Sequence, residues 1–434
     1  MTRKEIQRSQ RVGLPAGWRQ LPLKRVANTF SGAGFPIDQQ GVASEEIPFL
    51  KVLSLSGADV AGWIHGSDDT VSRSTAANLR APLLDPGTVV IAKIGAALLL
   101  GRIRQLAQIS TIDNNMLGIV ATGAHARFLY FALQTVDFKA LVNPGAVPSL
   151  SDRNLRMWPI RVPPIEEQQQ IAVYLDRETS QIDALISKQE QLVETLTERR
   201  QAVILQGITR GLDKNAPMRD SGIEWVGHVP KHWQVGNIRR FASMRTGHTP
   251  SRSHQEYWTE CEIPWFTLAD VWQLRKGQRY LGETNGTISQ LGLANSAAEL
   301  LPPGTVVLSR TASVGFTGIM PVSMATSQDY WNWVCKPDLD PTFLWFQFYA
   351  MRPHFASLVH GSTHKTIYQT DAAALKITAP PLAEQRDIVV FLDRETEKID
   401  ALSANARGMI DILKERRQAL ISAAVTGKID VRGL

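Results

Sequence analysis

Lys93 and Arg310 stand at matching places in the chain, each closing a short apolar run: LLDPGTVVIAK ends on the first and LLPPGTVVLSR on the second. Loops rich in glycine and hydrogen-bond donors accompany them. Gly32-Ala33-Gly34 corresponds roughly to Arg245-Thr246-Gly247-His248-Thr249, and the stretch from Asn143 to Arg153 corresponds roughly to that from His360 to Thr366. Glycine lets the backbone approach a ligand closely, and Ser, Thr, Asn, Arg, Lys and His supply donors that suit phosphate oxygens and base edges. The candidates for such contacts are Lys51, Lys93, Asn143, Ser149, Ser151 and Arg153 in the first half of the chain. In the second half they are Arg245, Thr246, His248, Thr249, Arg310, Thr311, Ser362, Thr363, His364 and Lys365. Any one of them alone is equally an ordinary solvated loop residue. The set, present twice, points to a binding surface. A formal net charge of +6 fits a polyanionic partner without requiring one.

The residue patterns of catalysis are missing. An Asn/Asp-Pro-Pro-aromatic tetrapeptide would signal amino-methyl transfer, but Pro163-Pro164 is followed by Ile165 and Pro380-Pro381 by Leu382. No GxxxxGK[ST] loop is present to cradle nucleotide phosphates. His228/His232 and His360/His364 have helical spacing, but Pro230 and Gly361 interrupt them and neither pair has an obvious third ligand, so no metal is expected. The two cysteines, Cys261 and Cys335, form no CxxC and are expected to be free thiols. The opening MTRKEIQRSQ has no apolar core, and the run from Val89 to Leu100 is broken by Lys93 and Gly95. These features predict a cytoplasmic protein with no membrane segment.

The elements that must position the candidate residues occur twice. Pro-x-x-Trp appears at Pro15–Trp18 and Pro230–Trp233, and Phe128-Leu129-Tyr130-Phe131 matches Phe343-Leu344-Trp345-Phe346. EQQQIAVYLDRETSQIDALI, from Glu167, aligns without gaps on EQRDIVVFLDRETEKIDALS, from Glu384, with thirteen of twenty positions identical. Each repeat therefore has a long front segment, residues 1–162 or 215–379, and a shorter rear segment, residues 163–214 or 380–434. The rear segments are nearly one sequence, whereas the front segments share punctuation and differ in content. Such a pattern suits two fronts that face different targets and two rears that do one shared job.

Both rear segments open on Pro-Pro, a helix entry, and no proline or glycine follows from Ile165 to Gln206. Apolar residues recur at steps of four and three, at Ile171, Leu175, Ile182, Leu185, Leu192, Leu196 and Val203. The second copy gives Ile388, Leu392, Ile399, Leu402, Met409, Leu413 and Leu420. This is a heptad seam, with Glu178, Arg199, Glu395 and Arg416 as its polar layers. The helices are expected to end at turns near Gly207, Gly211 and Gly427. A two-fold relation between the repeats makes the pairing antiparallel. A helix from Ile171 to Val203 is roughly 50 Å long, up to one or one and a half turns of duplex DNA. The front segments read as mixed α/β. Strands are predicted at 47–53, 88–94, 263–268 and 305–309, and amphipathic helices at 128–141 and 343–355. The predicted class is α+β: two tandem mixed α/β domains, each followed by a long helix, the helices forming an antiparallel coiled coil with pseudo-two-fold symmetry.

PPIEEQQQIAVYLDRETSQIDALI, PPLAEQRDIVVFLDRETEKIDAL, the tail KERRQALISAAVTGKID and the boundary DSGIEWVGHVPKHW resemble type I restriction-modification specificity subunits, over essentially the whole chain. The resemblance implies that each front segment is a target-recognition domain for one half of a split, asymmetric site in double-stranded DNA. It implies that the helical regions dock two adenine-N6 methyltransferase subunits, to which restriction and translocase subunits add. S-adenosylmethionine, ATP and Mg are then expected on those partners and no cofactor in this chain. Without the resemblance, the residues also permit a coiled-coil adaptor presenting two protein-binding domains, or a self-contained modification enzyme. Salt-dependent duplex binding separates the first from a DNA reader, and methyl transfer by the isolated chain separates the second.

Overall fold

The computed structural model describes residues 13–143, 145–358 and 366–432. The chain divides into two compact units, one made of Met1–Gln191 with Ala406–Leu434 and the other of Leu192–Asn405. Each unit contains one head and a segment of each of two long helices, Ile165–Arg210 and Leu382–Val425. Among the described residues no helix is long and apolar enough to cross a membrane.

In the first unit the central sheet has the strand order Ala27–Ser31, Met116–Ala121, Val89–Ala92, Ile103–Leu106, Trp63–Ile64. Its strands pair antiparallel except the last, which runs parallel to its neighbour. A smaller sheet joins Ile47–Leu50 to Thr70–Val71 and Thr111–Ile112. The second unit repeats the plan with Ala242–Thr246, Tyr330–Cys335, Val306–Ser309 and Thr317–Ile319, and a smaller sheet of Gly286–Ile288, Ile263–Phe266 and Ala325–Thr326. The four predicted strands are present but shorter. The expected helix over 128–141 is two pieces, Ala126–Leu133 and a 3-10 turn at Phe138–Leu141 that begins on an Asp137 cap. Its counterpart likewise splits into Pro341–Ala350 and Arg352–Ser357, the second piece starting where Pro353 can occupy an early helical position.

The start of each long helix is locked to its head by the same pairs of residues. The indole N–H of Trp18 donates to Glu167 at 3.0 Å, and that of Trp233 donates to Glu384 at 2.9 Å. The next residue, Gln168 or Gln385, is buried. Its carbonyl oxygen accepts the backbone N–H of His125 or Asp340, and its amide donates to the carbonyl of Pro163 or Pro380. Two turns on, Asp176 pairs with Arg127 at 2.6 Å and Asp393 pairs with Arg279. The two arginines come from unrelated places in the chain, yet both guanidinium groups lie on the same aromatic pair. Arg127 stacks on Tyr130 and Phe131, and Arg279 on Trp345 and Phe346. A cation on aromatic faces with a carboxylate partner is favourable when partly desolvated, which explains why two sequences converge on it.

The far end of each helix is built into the core of the other repeat's head. Ile421, Ala424 and Val425 join the core formed by Trp18, Phe128, Phe131, Ile171 and Leu175. Ile204 and Ile208 join Trp233, Phe343, Phe346, Ile388 and Leu392. The first helix ends at Arg210, just before Gly211 with its positive φ of 70°, and the second ends at Val425, just before the turn at Gly427, φ 72°. Gly207 lies inside the first helix, where a Cβ would sit 2.9 Å from a methyl carbon of Leu392. Within each unit the helical segments run antiparallel. Ile182 and Ile186 meet Ile410 and Leu413 in the first unit, where Asp183 takes a two-oxygen ion pair from Arg417. In the second unit the exchanged residues, Asp400 and Arg200, pair at 2.9 Å.

The buried line of the helices corrects half of the expected seam. Ile171, Leu175, Ile182, Leu196, Ile388, Leu392, Ile399 and Leu413 are buried. Leu185, Leu192, Leu402 and Met409 are 47, 43, 54 and 46 % exposed. Their places are taken one residue later, by buried Ile186, Ser403 and Ile410 and by half-buried Val193. The polar layers shift in the same way, from Glu178 and Glu395 to Thr179 and Thr396, and from Arg199 and Arg416 to Arg200 and Arg417. Both threonine hydroxyls donate to the carbonyl four residues back, so they are buried without loss of a hydrogen bond. This register makes Ile186→Ala cost about 2–4 kcal/mol in urea unfolding. Leu185→Ala should change stability by less than about 0.5 kcal/mol. Equal losses for the two variants would contradict the assigned seam.

Candidate nucleic-acid interface

One end of each central sheet gathers the candidate residues, because three strands finish or start there. In the first unit Ser31 ends one strand and Ala92 another, while Met116 begins the strand between them. Lys93 follows directly, its ammonium 3.3 Å from the Ser31 hydroxyl. The segment of Asn143 and Ser149 folds onto it: the Leu150 N–H donates to the Lys93 carbonyl, and Ile94 bridges Ser149. Lys51 follows the strand Ile47–Leu50, pairs with Asp69 at 2.7 Å and lies over the Phe35 ring. Burial works upward on the Asp69 carboxyl, but the hydrogen bonds from Lys51 and the Gly41 N–H, with the lysine charge, prevail and lower its pKa. Asp113 is the reverse case. Its burial outweighs two hydrogen bonds from Asn115 and the charges of Lys93 and Lys51, and its pKa is raised.

The second unit builds the same end with different chemistry. Arg310 replaces Lys93 and lies flat on Trp331, 4.3 Å from the ring centroid. Burial lowers its pKa from the usual guanidinium value, against the opposing charge of Asp329. Asp329 accepts hydrogen bonds from the hydroxyls of Thr311 and Ser327, at 2.6 and 2.9 Å. Thr311 also bridges Thr366, and Thr249 donates to Gln328 at 2.7 Å. Beside this end, a cavity of about 430 Å³ opens on the edge strand, lined among others by Arg239, Ser243, Arg245, Thr246, Glu299, Trp331 and Gln369.

Most of the expected residues thus fall at two equivalent strand ends, but not all are free for a ligand. Ser151 caps the short helix Asp152–Arg156 by accepting from the Asn154 N–H, and Thr311 is held by Asp329. Arg153, Asn143, Arg245, Thr246 and His248 are placed at or beside these ends; of them Arg153, Asn143, Arg245 and Thr246 are exposed. His248 is exposed as well, whereas Lys51, Lys93, Ser149, Thr249 and Arg310 are partly covered. Ser362, Thr363, His364 and Lys365 lie outside the described residues, as does the pair His360/His364. His232 is engaged by Glu384 at 2.7 Å, and among the described residues no group of three or more His, Cys, Asp or Glu side chains could hold a metal. The acids Asp113, Asp329 and Glu299, with Asn115, Gln328, Arg239 and Gln369, were not anticipated. The signal available was position: the sequences TIDNN and TSQDY both lead into the strand between the two strand ends.

A glycine makes both ends possible. A Cβ on Gly32 would sit 2.0 Å from the Asp113 carbonyl oxygen, and one on Gly247 would sit 2.2 Å from those of Thr326 and Ser327. The residues after them donate their N–H to Ile112 and Thr326, each at 3.0 Å, tying the edge strand to the loop. No rotamer relieves a clash with backbone. Gly32→Ala and Gly247→Ala should each cost about 1–3 kcal/mol, read as lower unfolding midpoints. Unchanged midpoints in both would contradict the close approach.

A family model described as the type I restriction modification DNA specificity domain matches residues 16–195 and again 230–406. The MjaIX type I restriction enzyme specificity subunit of Methanocaldococcus jannaschii is 26% identical over 192 residues, 44% of this chain and 43% of that protein. The putative MjaX specificity subunit of the same organism is 25% identical over 289 residues, 65% of this chain and 62% of its own length. These alignments thus span less than two thirds of either relative. A chain solved in work on the complex assembly and conformational transition of the type I R-M system has a TM-score of 0.71 at 18% identity, covering 96% of this chain and 99% of that one. The HsdS subunit from Thermoanaerobacter tengcongensis gives 0.54 at 17%, covering 97% and 100%. The structural likenesses speak for the fold, while the two family matches cover most of the sequence: the chain belongs to the type I restriction modification DNA specificity family and carries its domain twice.

Proposed function

We propose that this chain is the DNA-reading subunit of a type I restriction-modification complex, without catalysis of its own. Each front segment, residues 1–162 and 215–379, reads one half of a split, asymmetric duplex site, and the helical regions 163–214 and 380–434 dock two adenine-N6 methyltransferase subunits. Restriction and translocase subunits join that core, and S-adenosylmethionine, ATP and Mg belong to the partners. The observation that carries the reading is the pair of equivalent sheet ends. They share a framework, Gly32 with Gly247 and Lys93 with Arg310, and differ in the exposed residues around it. Such a division suits one mode of backbone contact with two base preferences. Support for docking comes from exposed apolar residues at equivalent places on the helices, Val173 and Val390, Leu185 and Leu402, Leu192 and Met409. Solvent-facing apolar residues kept in both copies suit a partner surface used twice.

Duplex titrations across a salt series test the reading. The affinity should fall linearly on logarithmic axes as salt rises. Lys93→Ala with Arg153→Ala should flatten the slope by up to about 2. A duplex affinity indifferent to salt, or none at all, favours an adaptor instead. Methyl transfer by the isolated chain would contradict the non-catalytic assignment.

A further inference from the structure

The cavity on the edge strand of the second unit carries a charge pair that the first unit lacks entirely. Arg245 and Glu299 face each other across its rim, Nε to Oε2 at 3.5 Å, each about half exposed. Counting back from the shared glycines, Arg245 corresponds to Phe30, since Gly247 corresponds to Gly32. Counting from LLPPG and LLDPG, Glu299 corresponds to Pro82. The two heads therefore have either both charges or neither at these positions, although the framework between them is the same.

Stability does not account for the pair. A single contact of 3.5 Å between half-exposed side chains is worth little, because solvent screens it and both side chains lose freedom. What the contact does supply is a competing acceptor for Arg245 in the free protein. In the strand register Arg245 stands opposite Asn332, which is buried and donates its amide to the Thr326 hydroxyl at 2.8 Å, so the strand that backs Arg245 is fixed. A half-exposed guanidinium at the rim of the cavity offers a planar fork of donors. Guanine presents two acceptors, O6 and N7, that match the fork, whereas adenine presents one acceptor beside a donor that repels it.

We infer that the edge-strand cavity of the second head is a guanine-reading site, with Arg245 as the specificity-determining donor and Glu299 as its guard. Glu299 competes for Arg245, and a base edge with two acceptors displaces the carboxylate. A base without them leaves the guanidinium better served by Glu299, so discrimination rises at the expense of affinity for other sequences. The inference rests on the DNA-reading function proposed above.

The test is selection by the full chain from a pool of duplexes with randomised positions, followed by sequencing of the bound fraction. The unaltered chain should enrich a split motif with a guanine in one half. Arg245→Ala should lose about tenfold or more of the preference at that one position and leave the others unchanged. Arg245→Lys should lose it as well, because a point charge cannot fork. Glu299→Gln should keep the guanine but narrow the gap between motif and random duplex. A uniform loss of affinity in Arg245→Ala, with the motif intact and the salt slope reduced by about 1, would overturn the inference in favour of a phosphate contact. A Glu299→Gln profile identical to that of the unaltered chain removes the guard. If the unaltered chain enriches no motif, the DNA-reading function itself fails, and the inference with it.

Discussion

Antiparallel pairing of the two long helices is the constraint on which the rest of the molecule depends. Each helix begins on its own head and ends in the core of the head that belongs to the other repeat. Neither head is closed by its own sequence alone: Phe128 and Phe131 pack in a core completed by Ile421 and Val425, and Phe343 and Phe346 in one completed by Ile204 and Ile208. Burial of such side chains is worth roughly 1.5–3 kcal/mol each. The exchanged helix ends therefore help to make each head stable, and the ion pairs Asp183–Arg417 and Asp400–Arg200 set their register.

This arrangement explains why the rear segments of the repeats stay alike while the fronts diverge. Glu167, Gln168, Asp176 and Asp183, and their counterparts Glu384, Gln385, Asp393 and Asp400, each contact a residue outside their own helix. A change at any of them breaks a junction. The front segments share the tryptophan and aromatic pair that meet the helix start, the strand ends, the glycine that lets the edge strand touch the loop, and one cation. Around these fixed points the two copies differ, with Phe30 against Arg245 and Pro82 against Glu299. Fixed framework and variable rim suit the proposed reading of two different half-sites.

Much of this was legible in the sequence, for physical reasons. The repeat, the helices and the apolar strands before Lys93 and Arg310 follow from periodicity and punctuation, which need no tertiary information. The seam register did not follow, and the reason is local. Leu185-Ile186, Leu192-Val193 and Met409-Ile410 place apolar side chains on two adjacent stripes, and both stripes fit a heptad. Only packing decides between them, and it selects the second stripe. The helix ends did follow: Gly211 and Gly427, both with positive φ, stand just past them, and Gly207 lies one turn inside the first helix, where Leu392 packs. At the candidate interface the donors were found and the acids were missed. A search for phosphate and base donors passes over acids: Asp329 accepts from Thr311, Glu299 pairs with Arg245, and Asp113 accepts from Asn115 beside Lys93.

The most direct measurement is co-expression of this chain with the methyltransferase subunit from the same source, followed by mapping of N6-methyladenine in the host DNA. The account predicts methylation at one split, asymmetric motif, and replacement of the first front segment by that of a relative should change one half of that motif only. Methylation with no motif, or a replacement that alters both halves together, would contradict it.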